Sequence, residues 1–372
     1  MYSVELSPFY LLFTVIMSSD ATNIVVVGAG VLGLTTAMHL ADNLSNVNVN
    51  VNIKVIAKDL PGLDNPPLFA SPKAGAHWSS PRFLNDPIIQ KRHVLGYKKF
   101  KELSLIDDCW VKQYDIYTGN IGLEEEPFKH AWYKSFVDDY EYIGTDPIKF
   151  PGVDQLVKFK TYTISTTYYL IWQMNSLIKS GISIERRSID KLSNVEFIEN
   201  SGLFADIVIN CTGLQYNELK DEPLDPNLIP IRGHTLILEN NLPYQVHFDE
   251  SSPVEQGEFL MVFPRKEGGC VLGGIYDQHS PLFDESIHDD YVKRLILKAK
   301  KHIPELGNDY KLVKHNIGFR PGRIGGARVE LDKFNKKLIH NYGCGSLGYI
   351  ESWGCADDVL NILQKLLHPS KL

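Results

Sequence analysis

The feature that most constrains this chain is residues 23–40, NIVVVGAGVLGLTTAMHL. Ile24, Val25, Val26 and Val27 read as a buried strand, and Gly28, Gly30 and Gly33 as a turn opening a helix. G-x-G-x-x-G in a strand–turn–helix setting is a dinucleotide-binding fingerprint. Gly28 permits the tight turn, Gly30 lets the backbone approach a pyrophosphate, and Gly33 lets the helix sit against the strand. The helix N-terminus then offers free N–H groups and a positive dipole end to the phosphates. The motif leaves open which dinucleotide binds and what is done with it.

A length of 372 residues is about two domains' worth. With 44% hydrophobic and 22% charged residues the chain is ordinary globular stock, and its net charge of -7 gives no reason to expect nucleic acid or an anionic membrane as partner. Cys109, Cys211, Cys270, Cys344 and Cys355 are odd in number, scattered and without a Cys-x-x-Cys. That argues against a disulfide framework or a metal site and for a reducing compartment. Residues 8–17, PFYLLFTVIM, are too short to span a membrane and lack the flanks of a signal peptide. Residues 1–20 therefore read as a disordered extension, with Met17 an alternative start. The terminal Ser370-Lys371-Leu372 matches the S-K-L address, which implies a peroxisomal import receptor and a peroxisomal location.

After the first helix, Ile53, Val55 and Ile56 form a strand ending near Ala57. A nucleotide-binding unit places an acid there for the adenine ribose. Here Lys58 stands at that position with Asp59 next to it, which weakens a plain NAD reading. Residues 61–82 are rich in Pro, Gly, Ala and Ser, and a long loop of this kind is usually functional. Helical spacing follows over 86–103 and 168–180, and a charged amphipathic helix over 284–303. DIVINCTGL (206–214) is a buried strand running into a small residue and glycine. PIRGHTLILE (230–239), EFLMVFP (258–264) and CVLGGIY (270–276) read as strands of one antiparallel sheet. LIHNYGCGSLG (338–348) is a strand entering a second glycine turn, and a last helix is expected from about Ala356 to Leu367.

In this order the pieces resemble the D-amino-acid oxidase family of FAD enzymes, its fungal branch above all. The motifs that carry the likeness are VVVGAGVLGLTTA, FASPKAGAHW, INCTGL, PIRGHT, GFRPGRIGGARVE and HNYGCGSLGYIESWG, spanning nearly all of 23–372. The resemblance implies an α/β (α+β overall) architecture: a Rossmann-like FAD-binding domain from 21–84, 150–215 and 310–372, interleaved with a substrate domain on a large antiparallel sheet from 85–149 and 216–309. A homodimer is compatible with it.

It also implies roles. Arg320, in GFRPGR, matches the arginine that holds the substrate α-carboxylate, a task suited to a planar bidentate guanidinium. Tyr276 matches a second carboxylate partner, and Ser346 and Met261 fall among the substrate-binding positions. Met261 stands where relatives commonly carry tyrosine, and a thioether cannot donate a hydrogen bond. The FAD pyrophosphate is expected on Gly28, Ala29, Gly30, Val31 and Leu32, with Gly33 behind them. Lys58, Asp59 and Ile189 are expected at the adenosine, Ala74, Gly75, Ala76 and His77 along the flavin ring, and Ser346, Gly348, Tyr349 and Ile350 over its pyrimidine end. Lys73 and Ile350 depart from residues common in the family.

The implied reaction is hydride transfer from substrate Cα to flavin N5, giving a 2-oxo acid, ammonia and, with O2, hydrogen peroxide. Neutral D-amino acids lead, because a D-aspartate oxidase needs a second cation. Lys73, His77, His247 and Arg265 are the candidates for it. An NAD-dependent dehydrogenase and a non-catalytic flavin-binding protein are the competing classes.

Overall fold

The computed structural model describes residues 21–44, 50–122, 128–250 and 257–367. The N-terminal extension and Ser370-Lys371-Leu372 lie outside the described residues. Two sheets dominate. The first is six-stranded and follows the order Arg328–Leu331, Leu338–Tyr342, Ile207–Asn210, Thr22–Val27, Val51–Ala57, Ser183–Arg186. Its strands pair in parallel except for the edge pair Arg328–Leu331 with Leu338–Tyr342. Thr22–Val27 is buried on both faces, as a central parallel strand requires, and its run of branched apolar residues follows from that. Helix Val31–Leu44 packs on this sheet beside helices Thr166–Lys179 and Gly348–Leu367.

The second sheet has eight strands, in the order Leu312–Arg323, Leu228–Leu238, Cys270–Ile275, Glu258–Pro264, Gln245–Glu250, Val111–Ile121, Asp154–Ile164, Glu141–Gly144. All pairs are antiparallel except Gln245–Glu250 with Val111–Ile121. The three antiparallel strands expected from sequence are here. Asp154–Ile164 and Leu312–Arg323 belong to this sheet as well, although the expected boundaries at 150 and 310 put them with the FAD-binding segments. Each completes a ladder that runs its full length, so sheet pairing extends beyond those boundaries.

Two helices differ from expectation. The C-terminal helix starts at Gly348, eight residues before Ala356. Glycine is a poor helix former, but here it permits a close crossing. A Cβ on Gly354 would lie 2.3 Å from Arg92 Cα, and one on Gly96 would lie 2.1 Å from the Ile350 carbonyl oxygen. Helices Pro87–Leu103 and Gly348–Leu367 therefore touch backbone to backbone, with Arg92 held by Asp358 at 2.7 Å. The other helix is Asp289–His302, which begins after 284 because Arg232 donates to the carbonyls of Asp284 and Ser286 and holds that stretch as a loop.

Two fully buried histidines tie acid stability to this fold. Burial pushes both His234 and His340 down from 6.5 to about 4, with Arg232 adding to the first and Arg328 to the second. Between those values the unfolded chain binds protons that the folded chain does not, so stability falls as pH drops. The window is pH 6.5 to 4, with a slope of at most about 1.4 kcal/mol per pH unit for each histidine. Denaturant midpoints measured across that range should fall, and a His340→Gln variant should flatten the curve.

Candidate active site

The fingerprint strand ends in Gly28, at φ +116°, whose N–H donates to the Ile56 carbonyl at 2.8 Å. A Cβ on Gly28 would sit 2.4 Å from the Cys211 carbonyl oxygen, and one on Gly33 only 1.9 Å from the Gly28 oxygen. The helix is thus seated on its own turn, leaving no room for a side chain. Ser71, from the 61–82 loop, accepts a hydrogen bond from the Val31 N–H at 2.9 Å and so touches the helix N-terminus. A cavity opens there. Gly28, Ala29, Gly30, Val31 and Leu32 line it, with Lys58, Asp59 and Ile189 towards one end and Ala74, Gly75, Ser346, Gly348 and Tyr349 towards the other. Gly33 stands behind the wall. A cavity with a glycine cradle at a helix N-terminus fits FAD, and these are the residues that would hold it.

A second cavity of ≈ 610 Å³ adjoins the first and shares Ala74, Gly75, Met261, Arg320, Ser346 and Tyr349 with it. Ala76, His77, Tyr276 and Ile350 line only this second space. The expected site residues, scattered from 28 to 350 in sequence, therefore gather on two adjoining walls. Arg320 is at their junction. Its Nη1 donates to the carbonyls of Arg232 at 3.3 Å and Ile275 at 3.2 Å, and its guanidinium carbon lies 5.7 Å from the Tyr276 ring centroid. Burial pushes the guanidinium down from its ordinary value, with Tyr276 and Tyr291 opposing the shift. No carboxylate among the described residues pairs with it. A half-buried cation anchored by carbonyls and lacking an anion is built to receive one.

Gly233, inside PIRGHT, seats this arginine: a Cβ there would come within 2.6 Å of Arg320 Nη1 and 2.7 Å of Cζ. The obstructed atoms are the end of a flexible side chain, so Gly233→Ala should fold and shift the guanidinium. The expected result is a KM for the carboxylate substrate raised roughly 10-fold, about 1.4 kcal/mol, with thermal stability little changed. Steady-state kinetics beside a melting curve checks it, and an unchanged KM would separate Gly233 from Arg320.

The other cations are engaged or peripheral. Arg265 donates to the carbonyls of Ile164 at 2.6 Å and Ala74 at 3.2 Å, which fixes the loop behind Ala74 and removes it as a substrate cation. Arg82 pairs with Asp249 and donates to Asn120 Oδ1 at 3.0 Å. Lys73 lies with its stem on Gly318 along the first cavity, pushed down by burial and by Lys314. His77 stacks on Phe263 at 3.8 Å and faces His247 at 5.6 Å. Burial lowers both, His77 the further because His247 adds to it, so both rings are neutral at pH 7. Among the described residues, the second cavity then holds one full cation without a partner at neutral pH, Arg320. Its remaining wall is largely apolar: Phe83, Phe128, Tyr133, Phe259, Met261 and Phe263.

Sequence reasoning missed Ser71, Gly233, Phe263 and the Arg82–Asp249 pair. Gly233 sat inside a quoted motif, and its signal was there to be read. Ser71 lies in a short helix, Ala70–Lys73, inside a stretch that reads as a loop without periodicity, 40 residues from the amide it meets.

Comparison with known proteins agrees with this geometry. A family model described as "FAD dependent oxidoreductase" matches residues 23–361. A D-amino-acid oxidase of Fusarium vanettenii is 28% identical over 93% of this chain and 98% of its own length. A D-aspartate oxidase of Talaromyces thermophilus is 24% identical over 91% and 94%. Among solved structures, a glycine oxidase from Bacillus cereus superimposes with a TM-score of 0.70 at 15% identity, covering 92% of this chain and 95% of that one, which shows the shared fold. With the family model spanning nearly its whole length and a glycine cradle shaped for the cofactor, the chain belongs to the FAD-dependent oxidoreductase family.

Proposed function

We propose that this protein oxidises D-amino acids with neutral side chains, giving the 2-oxo acid, ammonia and hydrogen peroxide. The observation that carries the reading is Arg320, an unpaired guanidinium where the two cavities meet. Bound FAD supplies the two-electron acceptor for the hydride that leaves Cα. The chain's own residues bind and orient. Arg320 takes the α-carboxylate in a charge-assisted pair, and Tyr276, whose ring lies 5.7 Å from that guanidinium on the wall of the second cavity, adds a second hydrogen bond. With the carboxylate fixed, the side chain points into the apolar part of the second cavity, and only one enantiomer turns its Cα–H towards the first. Met261 contributes packing on the shared wall and no hydrogen bond. No side chain is asked to remove a proton from carbon.

The aspartate oxidase of Talaromyces thermophilus raises the acidic alternative. His77 and His247 are the groups that could meet a second carboxylate, and burial keeps them uncharged at pH 7. A peroxide assay with D-alanine, D-methionine, D-aspartate and L-alanine decides. Turnover of the first two, at least about 10-fold above D-aspartate in kcat/KM and with L-alanine inert, is expected. A preference for D-aspartate would replace the neutral reading with the acidic one, and a flavin-loaded protein inert to all four would replace both.

A further inference from the structure

Cys211 and Cys344 line the first cavity, and Cys355 lies behind Cys344. Cys344 lies in the turn between strand Leu338–Tyr342 and helix Gly348–Leu367, on the wall of the first cavity. Cys355 is two turns into that helix and fully buried. Their sulfurs are 4.0 Å apart. The Cys355 thiol is directed at Glu351 Oε2, 3.9 Å away, and that carboxylate lies 3.5 Å from the Arg92 guanidinium. All five cysteines are reduced.

We infer that Cys344 and Cys355 form an oxidisable pair, which hydrogen peroxide released by the enzyme's own turnover closes into a disulfide. The inference rests on the peroxide-forming function proposed above. Cys344 lines the first cavity, so peroxide formed at the flavin is produced next to its thiol. The Cys344 sulfur attacks one peroxide oxygen; an S–O bond forms, the O–O bond breaks, and one water leaves with the thiol proton. Cys355 then attacks the sulfenic sulfur of Cys344; an S–S bond forms, the S–O bond breaks, and the departing hydroxide takes the Cys355 proton, for which Glu351 is the adjacent acceptor. Two thiols and one peroxide thus give one disulfide and two waters. Each sulfur loses one electron and the peroxide gains two.

The geometry allows closure. A disulfide needs the sulfurs about 2.05 Å apart, so they must approach by roughly 2 Å. Gly343 and Gly345, at φ +90° and +59°, flank Cys344, so the backbone on either side of it carries no side chain that must move with the sulfur. Contact with Cys355, then burial, pushes the Cys344 thiol well up. The reactive thiolate is therefore scarce at pH 7, and attack on peroxide is slow. The pair responds to sustained turnover and ignores trace oxidant. Once closed, it ties the turn carrying Ser346 and Gly348 to the helix behind it.

The test uses the FAD-loaded enzyme in three arms: D-alanine in air, added hydrogen peroxide, and D-alanine in air with catalase. Free thiols are alkylated, and peptides are mapped with and without reductant. A Cys344–Cys355 linked peptide in the first two arms is expected, with alkylated thiols falling from five to three and less linkage when catalase is present. Cys355→Ser should show no link and should trap a dimedone adduct on Cys344. The inference is overturned if peroxide accumulates in the D-alanine arm while Cys344 and Cys355 remain separately alkylated there and under added peroxide. Linkage under added peroxide, with no peroxide made from any D-amino acid, would overturn the proposed function and leave the pair's chemistry standing.

Discussion

Arg320→Ala should lower kcat/KM for D-alanine by roughly 100-fold to 1,000-fold, mostly through KM, while the protein still folds and holds FAD. The magnitude follows from the contacts removed. A bidentate guanidinium–carboxylate pair comprises two charge-assisted hydrogen bonds, each contributing about 1.5–3 kcal/mol. Loss of both is about 3–4 kcal/mol, allowing for water that enters the vacated space. Arg320 makes no ion pair among the described residues, and its two hydrogen bonds go to backbone carbonyls of already paired strands. Stability should therefore change little. Arg320→Lys should recover part of the loss, because an ammonium keeps the charge but not the fork. Near-normal KM with D-alanine in the alanine variant would remove Arg320 from its role.

The larger structural effect is expected at Gly33. A Cβ there would lie 1.9 Å from the Gly28 carbonyl oxygen, and the obstructed atom is backbone. Neither side can yield cheaply: Gly28 is bonded to Ile56 and packed on Cys211, and helix Val31–Leu44 is buried against the sheet. Gly33→Ala must push the helix away from its turn, which moves the N-terminal amides that face the cavity. We expect a colourless protein, or one losing FAD readily, with a melting temperature several degrees lower, the yield of 1–3 kcal/mol of overpacking. The flavin absorbance of the purified variant reads this directly. A fully yellow Gly33→Ala protein of normal stability would show that the turn is looser than its geometry states.

The cradle was legible because its meaning is local: strand, turn and helix are adjacent, and each glycine is required by a contact within a few residues. The strands EFLMVFP and CVLGGIY were legible for the same reason, as short apolar runs. The start of the last helix was not. Gly348 and Gly354 argue against helix by propensity, and the crossing with Pro87–Leu103 accounts for Gly354, while nothing in the packing requires Gly348 to lack a side chain. Arg320 stood out through its motif, not through any pattern in its surroundings. What makes it a binding group, the carbonyls of Arg232 and Ile275 and the bare surface of Gly233, comes from strands 45 to 88 residues away. Arg265 stayed among the four candidate cations for the mirror-image reason, since sequence does not show a guanidinium already occupied by Ile164 and Ala74.

The strand order of the six-stranded sheet has a consequence for how the protein is made. Thr22–Val27 lies between Val51–Ala57 and Ile207–Asn210, and Leu338–Tyr342 joins only on the far side of the latter. The cradle emerges from the ribosome long before the turn that closes the opposite end of its cavity. The flavin can therefore be captured only after that turn has emerged, and the half-built sheet must wait with an open edge. Nascent chains stalled before residue 338 should retain no FAD, whereas released full-length chains should. Retention by the stalled chains would mean that the first half of the site is sufficient to hold the cofactor.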